Sequence, residues 1–240
     1  MSTSLDSIGP LARTVADCAA MDAVMAGEAA PEVRAAGLAG LRIGVPENFF
    51  FDGVDDMVAA AFARAVSVLE KAGARVVRFT LPVIDAYAAA NGKGGFAAAE
   101  AFAWHRALLA EKGDVYDPRV KSRIERGAGQ SAADYIDLLQ ARREIIGAAN
   151  AVTSAFDVVM APTTPIVPPT IASLDDEKEY TRVNLLVLRN CAIGNFLDRC
   201  AISLPCHRPG EAPVGLMLMG ETMGDARLFA IAAAVEAALA

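Results

Sequence analysis

The chain has 240 residues, enough for one large domain or two small ones with a substantial core. Apolar residues make up 54% of it and charged residues 21%, which excludes a disordered chain and predicts a compact globule. The net charge is −7, and no cluster of basic residues carries interleaved aromatics, so we expect no nucleic-acid partner. No run of about 18 strongly apolar residues occurs, so we also expect no membrane span.

The cysteine and histidine content argues against metal chemistry. The cysteines are Cys18, Cys191, Cys200 and Cys206, and the histidines are His105 and His207. None of the cysteines form a C-x-x-C pair, so the sequence predicts neither a zinc site nor any other cofactor. Reduced thiols and the absence of a secretory pattern at the N-terminus favour a cytoplasmic protein.

The first third of the chain predicts a βαβ unit after an opening helix. Thr14 followed by Asp17 is typical of a capping box, and the helix that it starts ends at Gly27. This helix is apolar, so we expect Cys18 within it to lie in the core. LRIGVP at 41–46 and ARVVRF at 74–79 are predicted as strands. Apolar residues at helical spacing lie between them, so we expect two parallel strands joined by a right-handed crossover.

The rest of the chain alternates long helices with short strands. The run NGKGG at 91–95 is interpreted as a turn between two helices, because it lacks the spacing of a phosphate loop. Ser131 to about Ser154 is predicted as a long helix, and 182–194 as another. Three further strands are predicted, at 157–161, 200–205 and 213–220, and a helix closes the chain. The first of them leads into a proline-rich loop, and the second is expected to be buried.

No group of residues forms a self-contained catalytic constellation. Cys206 and His207 are adjacent, so on a strand their side chains point to opposite faces, and they are interpreted as a packed cysteine beside a surface histidine. Ser203 lacks a G-x-S-x-G elbow and is interpreted as a structural serine in a buried strand. We therefore assign no catalytic residue; a cysteine-dependent hydrolase that uses Cys206 or Cys191 stays open as a third hypothesis.

Four segments, in the same order, resemble the amidase signature family. They are SLDSIGPLARTVADCA, DVVMAPTTPIVPP, NFLDRCAISLPC and PVGLMLMG with its following helix. The family includes amidases and the A subunits of tRNA-dependent amidotransferases. The resemblance implies an α/β fold with a mixed β-sheet flanked by helices. It also implies hydrolysis of carbon–nitrogen amide bonds by a Ser-cisSer-Lys triad with a backbone oxyanion site.

The resemblance covers only the C-terminal part of the family pattern. No GGSSGG-like run is present, and the five lysines lie downstream of the position of the family's lysine. We therefore expect residues 1–240 to be a single partial domain, truncated relative to the family and inactive alone. The alternative is a non-catalytic binding or scaffold protein that retains half of the fold.

The resemblance also implies a set of substrate-binding residues. Thr163 and Thr164 leave a predicted strand at its carboxyl end, where ligands commonly bind in α/β sheets. Cys191 and Asn195 match a family pattern of threonine and asparagine four residues apart, with Cys191 in place of the threonine. The expected ligand is a small amide, bound in the complete enzyme. We also expect self-association through an exposed sheet edge.

Overall fold

The computed structural model describes residues 2–29 and 32–240. The helices are α1 (Val15–Ala26), α2 (Asp56–Lys71), α3 (Ile84–Ala90), α4 (Gly95–Lys112), α5 (Pro118–Glu125), α6 (Ala132–Thr153), α7 (Glu177–Phe196) and α8 (Asp225–Leu239). The strands are β1 (Arg42–Pro46), β2 (Arg75–Phe79), β3 (Val158–Pro162), β4 (Ala201–Pro205) and β5 (Gly215–Met219). None of the helices in this part of the chain is long and apolar enough to cross a bilayer.

The folded chain divides into two compact units. The first, a helical unit, contains the start of the chain to Ile8, Pro82–Asn150 and Asn195–Leu197. The second, a sheet unit, contains Gly9–Leu81 and Ala151–Gly194, and the chain from Asp198 onward. This division is within the folded chain and does not test the prediction that residues 1–240 are one partial domain.

The sheet unit is built on five strands in the order β2-β1-β3-β5-β4. β1 pairs in parallel with both β2 and β3, and β5 runs antiparallel between β3 and β4. The predicted βαβ unit is confirmed, since Arg42 to Pro46 pair in register with Arg75 to Phe79. The predicted mixed sheet flanked by helices is confirmed as well.

One face of the sheet carries the main hydrophobic core. Alternate residues of the strands, such as Ile43 and Val45 of β1, point to this face and are fully buried. Helix α2 covers them with Phe62 and Leu69, two members of the apolar stripe that its sequence predicts. Helix α8 packs beside α2 through a second stripe that includes Ile231. Burial of this apolar area is the main stabilising contribution to the unit.

The helix ends follow the local signals in the sequence. Thr14 accepts a hydrogen bond from the Asp17 amide at 3.1 Å, and Gly27 ends α1 in the left-handed conformation with φ 73°. NGKGG is a turn between α3 and α4, as predicted. Helix α7 begins at Glu177 rather than at 182, because Asp176 accepts a hydrogen bond from the Glu179 amide and caps a first turn that is entirely polar.

Two sequence predictions on burial are wrong. β4 is not a buried strand: it is the last strand of the sheet, and Ser203 on it is exposed. An edge strand has a neighbour on one side only, so its short apolar sequence does not ensure burial. Cys18 of α1, expected in the core, is half-buried, with its thiol directed towards the Pro10 carbonyl.

The helical unit is organised around one carboxylate. Glu100 of α4 accepts hydrogen bonds from the hydroxyls of Ser2, Ser4 and Tyr135. Partial burial by itself would raise the pKa of Glu100, but these hydrogen bonds outweigh it and lower the pKa to about 2. Since the pKa is lowered in the folded state, the stabilisation is present at neutral pH and is lost as the pH falls towards 2.

A buried amide joins two loops of the sheet unit. Asn190 of α7 is fully buried, and its side-chain nitrogen donates to the carbonyls of Phe50 at 3.0 Å and Pro162 at 2.8 Å. Phe50 follows β1 and Pro162 ends β3, so one side chain connects the carboxyl ends of two parallel strands. Such a buried polar group is costly to remove, because the Pro162 carbonyl loses this hydrogen bond and the Phe50 carbonyl keeps only the one from Arg189, at 3.2 Å.

We predict that Asn190→Ala lowers the free energy of unfolding by about 2–3 kcal/mol, from the two hydrogen bonds that are lost and the cavity that remains. Asn184→Ala is the matched control on the same helix. Within the described residues its side chain forms no hydrogen bond, and we expect a change of less than about 0.5 kcal/mol. Urea denaturation of both variants checks this; equal effects at the two positions would contradict the role of Asn190.

Candidate functional site

A cleft of about 480 Å³ opens at the carboxyl ends of β3 and β4. β5 runs antiparallel to both strands, so its amino end lies at the same edge of the sheet. The lining is mostly proline, valine and isoleucine with a few polar side chains. It consists of Thr163, Thr164, Ile166, Val167, Pro168, Pro169, Val187, Ser203, Pro205, His207, Pro213, Val214 and Gly215. An apolar cleft with few polar groups is typical of small-molecule sites.

Two hydroxyl groups form a bridge over the floor of this cleft. Thr163 Oγ1 and Ser203 Oγ are 2.6 Å apart, although their strands β3 and β4 are separated by β5. They meet above Gly215: a Cβ at that position would lie 2.6 Å from both oxygens. Only one proton can lie between the two oxygens, so the second hydroxyl proton is available to a ligand.

The proline-rich loop that follows β3 forms one wall of the cleft, and Asp55, the N-cap of α2, holds it in place. One carboxylate oxygen accepts from the Val58 amide at 2.7 Å and starts the helix. The other accepts from the Val167 amide at 2.7 Å, while the Asp55 amide donates to the Pro165 carbonyl. One carboxylate therefore both starts α2 and holds the proline-rich loop.

Residues of β5 and α7 also hold the start of this loop. The Thr163 amide donates to the Gly215 carbonyl at 2.9 Å, and the Cys191 thiol is directed at the Thr163 carbonyl at 3.6 Å. Asn190 holds Pro162, and Thr164 Oγ1 donates to the Ile166 carbonyl at 3.0 Å. With its backbone fixed at these positions, the loop presents its side chains in a preformed arrangement.

The cleft carries no activated nucleophile among the described residues. Ser203 pairs with a hydroxyl, and within the described chain no hydrogen bond joins it to a histidine, lysine or carboxylate. Burial raises the pKa of Cys206 to about 11 and raises that of Cys191, so both thiols stay protonated at neutral pH. The cysteine-dependent hypothesis is therefore disfavoured by the environment of both thiols.

The structure brings together three of the four residues expected to bind substrate. Thr163 and Thr164 line the cleft, and Cys191 lies behind Thr163 with its thiol on the backbone. Asn195 belongs to the helical unit, where its side chain is exposed and its carbonyl accepts from Arg142. Their role in binding stays a prediction.

Sequence reasoning missed three polar residues of this region. Ser203 is assigned to a buried strand, and His207 is interpreted as a surface histidine; both line the cleft. Asn190 is not singled out at all. A sequence signal for it does exist, because an asparagine on the apolar face of an amphipathic helix needs a buried hydrogen-bond partner.

The Amidase family model matches residues 1–229 of the chain. The chain belongs to the amidase family. The predicted resemblance is thus confirmed. Among its curated relatives are a 2-amino-5-chloromuconic acid deaminase of Comamonas testosteroni, 37% identical over 99% of this chain and 52% of the relative, and an amidase of Pseudomonas putida, 34% identical over 86% and 47%. This amidase-family chain spans about half the length of the curated relatives it matches.

Solved structures show the same fold. A crystal structure of an amidase superposes with a TM-score of 0.83 at 23% identity, covering 100% of this chain and 54% of the other. The glutamyl-tRNA(Gln) amidotransferase A subunit of Thermotoga maritima gives a TM-score of 0.71 at 26% identity, covering 98% and 53%. In both, the matched region is about half of the larger chain.

We predict that Gly215→Ala destabilises the protein by about 1–3 kcal/mol, because the added methyl group displaces the Thr163–Ser203 bridge. Gly194→Ala on α7 is the matched control. Its Cβ would meet only the Met219 sulfur, at 3.6 Å, and alanine favours a helix, so we expect no loss of stability. Thermal unfolding of both variants measures the difference; a Gly215→Ala variant as stable as the parent would show that the bridge does not constrain the site.

Proposed function

We propose that this chain forms a substrate-binding wall of an amidase-type hydrolase of carbon–nitrogen bonds, and that these 240 residues alone do not hydrolyse amides. The observation that carries the proposal is the preformed cleft at the carboxyl ends of β3 and β4. It offers hydroxyl groups to a ligand but no activated nucleophile among its lining residues.

The lining supports a small uncharged amide as the ligand. The described lining residues include no aspartate, glutamate, lysine or arginine. A carboxamide can accept a hydrogen bond from the free hydroxyl of the Thr163–Ser203 bridge, and its substituent can pack on Val187 and Pro205. The relatives named as an amidase and as a deaminase support carbon–nitrogen chemistry for the complete enzyme.

The proposed lack of turnover by this chain rests on its serine and cysteine environments. Amide hydrolysis needs a nucleophile that is deprotonated or paired with a base. Ser203 has a hydroxyl partner instead, and the buried thiols of Cys191 and Cys206 have raised pKa values. In the proposed arrangement the Ser-cisSer-Lys triad of the family comes from outside these residues.

The second candidate is a non-catalytic binding protein, favoured by the same cleft without a nucleophile. Both candidates predict ligand binding, and neither predicts hydrolysis by the isolated chain. They differ in whether the cleft supports catalysis when it is combined with a catalytic half.

A chimera separates the two candidates. The matched part of the Pseudomonas putida amidase, 47% of its length, is replaced by the corresponding residues of this chain, and hydrolysis of simple amides is measured. We expect a folded chimera with activity. Removal of both bridge hydroxyls by Thr163→Val with Ser203→Ala should lower kcat/KM about tenfold, the effect of one lost hydrogen bond to substrate.

Thr80→Val is the control, since Thr80 is exposed after β2 and is not part of the cleft. Circular dichroism verifies that each chimera is folded. A folded chimera without activity would favour the binding protein. Amide hydrolysis by the isolated 240 residues that is lost on Ser203→Ala or on alkylation of the thiols would place a nucleophile in this chain and overturn the proposal.

A further inference from the structure

His207 is the one nitrogen-bearing side chain among the described lining residues of the cleft. It lies two residues beyond β4 and is half-buried. Its Nδ1 is 3.2 Å from the amide nitrogen of Val214 and 3.5 Å from the Val214 carbonyl oxygen. Which of these two contacts is the hydrogen bond determines which ring nitrogen carries the proton.

The shorter contact decides the tautomer. The Val214 amide can only donate, so its bond requires an unprotonated Nδ1. The Val214 carbonyl already accepts from the Cys206 amide at 3.0 Å and does not need the imidazole. With the Val214 amide as donor, the proton of a neutral ring lies on Nε2. Within residues 2–29 and 32–240, no hydrogen bond involves that nitrogen.

We infer that His207 determines the ligand specificity of the cleft, with its Nε2–H donating to a neutral carbonyl oxygen on an apolar carboxamide. This inference deepens the proposed function and rests on it for the choice of cleft. His207 and the Thr163–Ser203 bridge together give the cleft two neutral donors on otherwise apolar walls. Two donors fit one carbonyl oxygen, or two oxygens of one ligand.

The chemistry of the lining favours a carbonyl over a charged group. A carboxylate would lose its hydration against proline and valine without meeting a lysine or arginine of the lining. A cation would meet donors and no carboxylate. A neutral carboxamide loses less hydration and finds the donors that it needs, so His207 selects for it.

The test uses the 240-residue chain at pH 8 with three probes of similar shape: benzamide, benzoate and ethylbenzene. Affinity is measured by NMR titration for the parent, His207→Phe and His207→Gln. The glutamine amide can place a donor near the position of Nε2, whereas phenylalanine keeps a ring without one. His105→Phe is the control, since His105 pairs with Tyr116 in the helical unit.

We expect benzamide to bind the parent more tightly than benzoate does. His207→Phe should weaken benzamide about fivefold, and His207→Gln should restore binding to within about twofold of the parent. Ethylbenzene should bind all variants alike, and His105→Phe should change nothing. Unchanged benzamide affinity in His207→Phe, an equal loss for ethylbenzene, tighter binding of benzoate, or no binding of any probe by the parent would each overturn the inference.

The tautomer gives a second measurement that needs no variant. Nitrogen-15 NMR of the parent should show a protonated Nε2 and an unprotonated Nδ1 on His207, and the opposite tautomer would overturn the inference. Binding and hydrolysis are also separable. If benzamide binds through His207 but the chimera described above is inactive, the proposed hydrolase fails while the assignment of His207 stands.

Discussion

The buried side chain of Asn190 connects the ends of the two central parallel strands of the sheet unit. β1 leads to β2 on one side and the chain later returns to β3 on the other, so the order of strands reverses between β1 and β3. Ligands of open α/β sheets commonly bind at such a point. Here the amide of Asn190 occupies it and donates to the carbonyls of Phe50 and Pro162. The candidate site lies instead at the neighbouring strands β3, β5 and β4, where Thr163 directly follows Pro162.

The antiparallel insertion of β5 makes that displaced site possible. Because β5 separates β3 from β4, the side chains of Thr163 and Ser203 meet only by reaching across it, and Gly215 leaves them the space. Asp55, at the start of α2, accepts a hydrogen bond from the Val167 amide and so holds the loop that lines the cleft. The helix cap, the strand order and the loop geometry therefore all contribute to the walls of one cleft.

Local patterns in the sequence predict most of the elements but not their long-range partners. Helix α2 and the strands around it follow from apolar spacing, and Thr14 and Gly27 follow from capping preferences. The family follows from four segments in order. The position of β4 at the edge of the sheet could not be predicted, because a short apolar run such as CAISLP is compatible with both an edge strand and a central strand.

The residues of the candidate site that the sequence does not predict were missed for the same physical reason. Ser203 meets Thr163 across 40 residues of sequence, and Val167 meets Asp55 across 112. No periodicity or motif encodes such a pair; only the folded sheet brings its members together. Thr163 and Thr164 could be anticipated because the carboxyl end of a strand is a local property, whereas Ser203 required the topology.

The proposed ligand site of this chain is the cleft above Gly215. A crystal structure of the chain grown with benzamide would show directly whether a ligand binds there. We expect benzamide in the cleft, with its carbonyl oxygen about 3 Å from His207 Nε2 or from the Thr163–Ser203 bridge. Benzamide ordered at another surface, with the cleft unchanged and without it, would rule out this site.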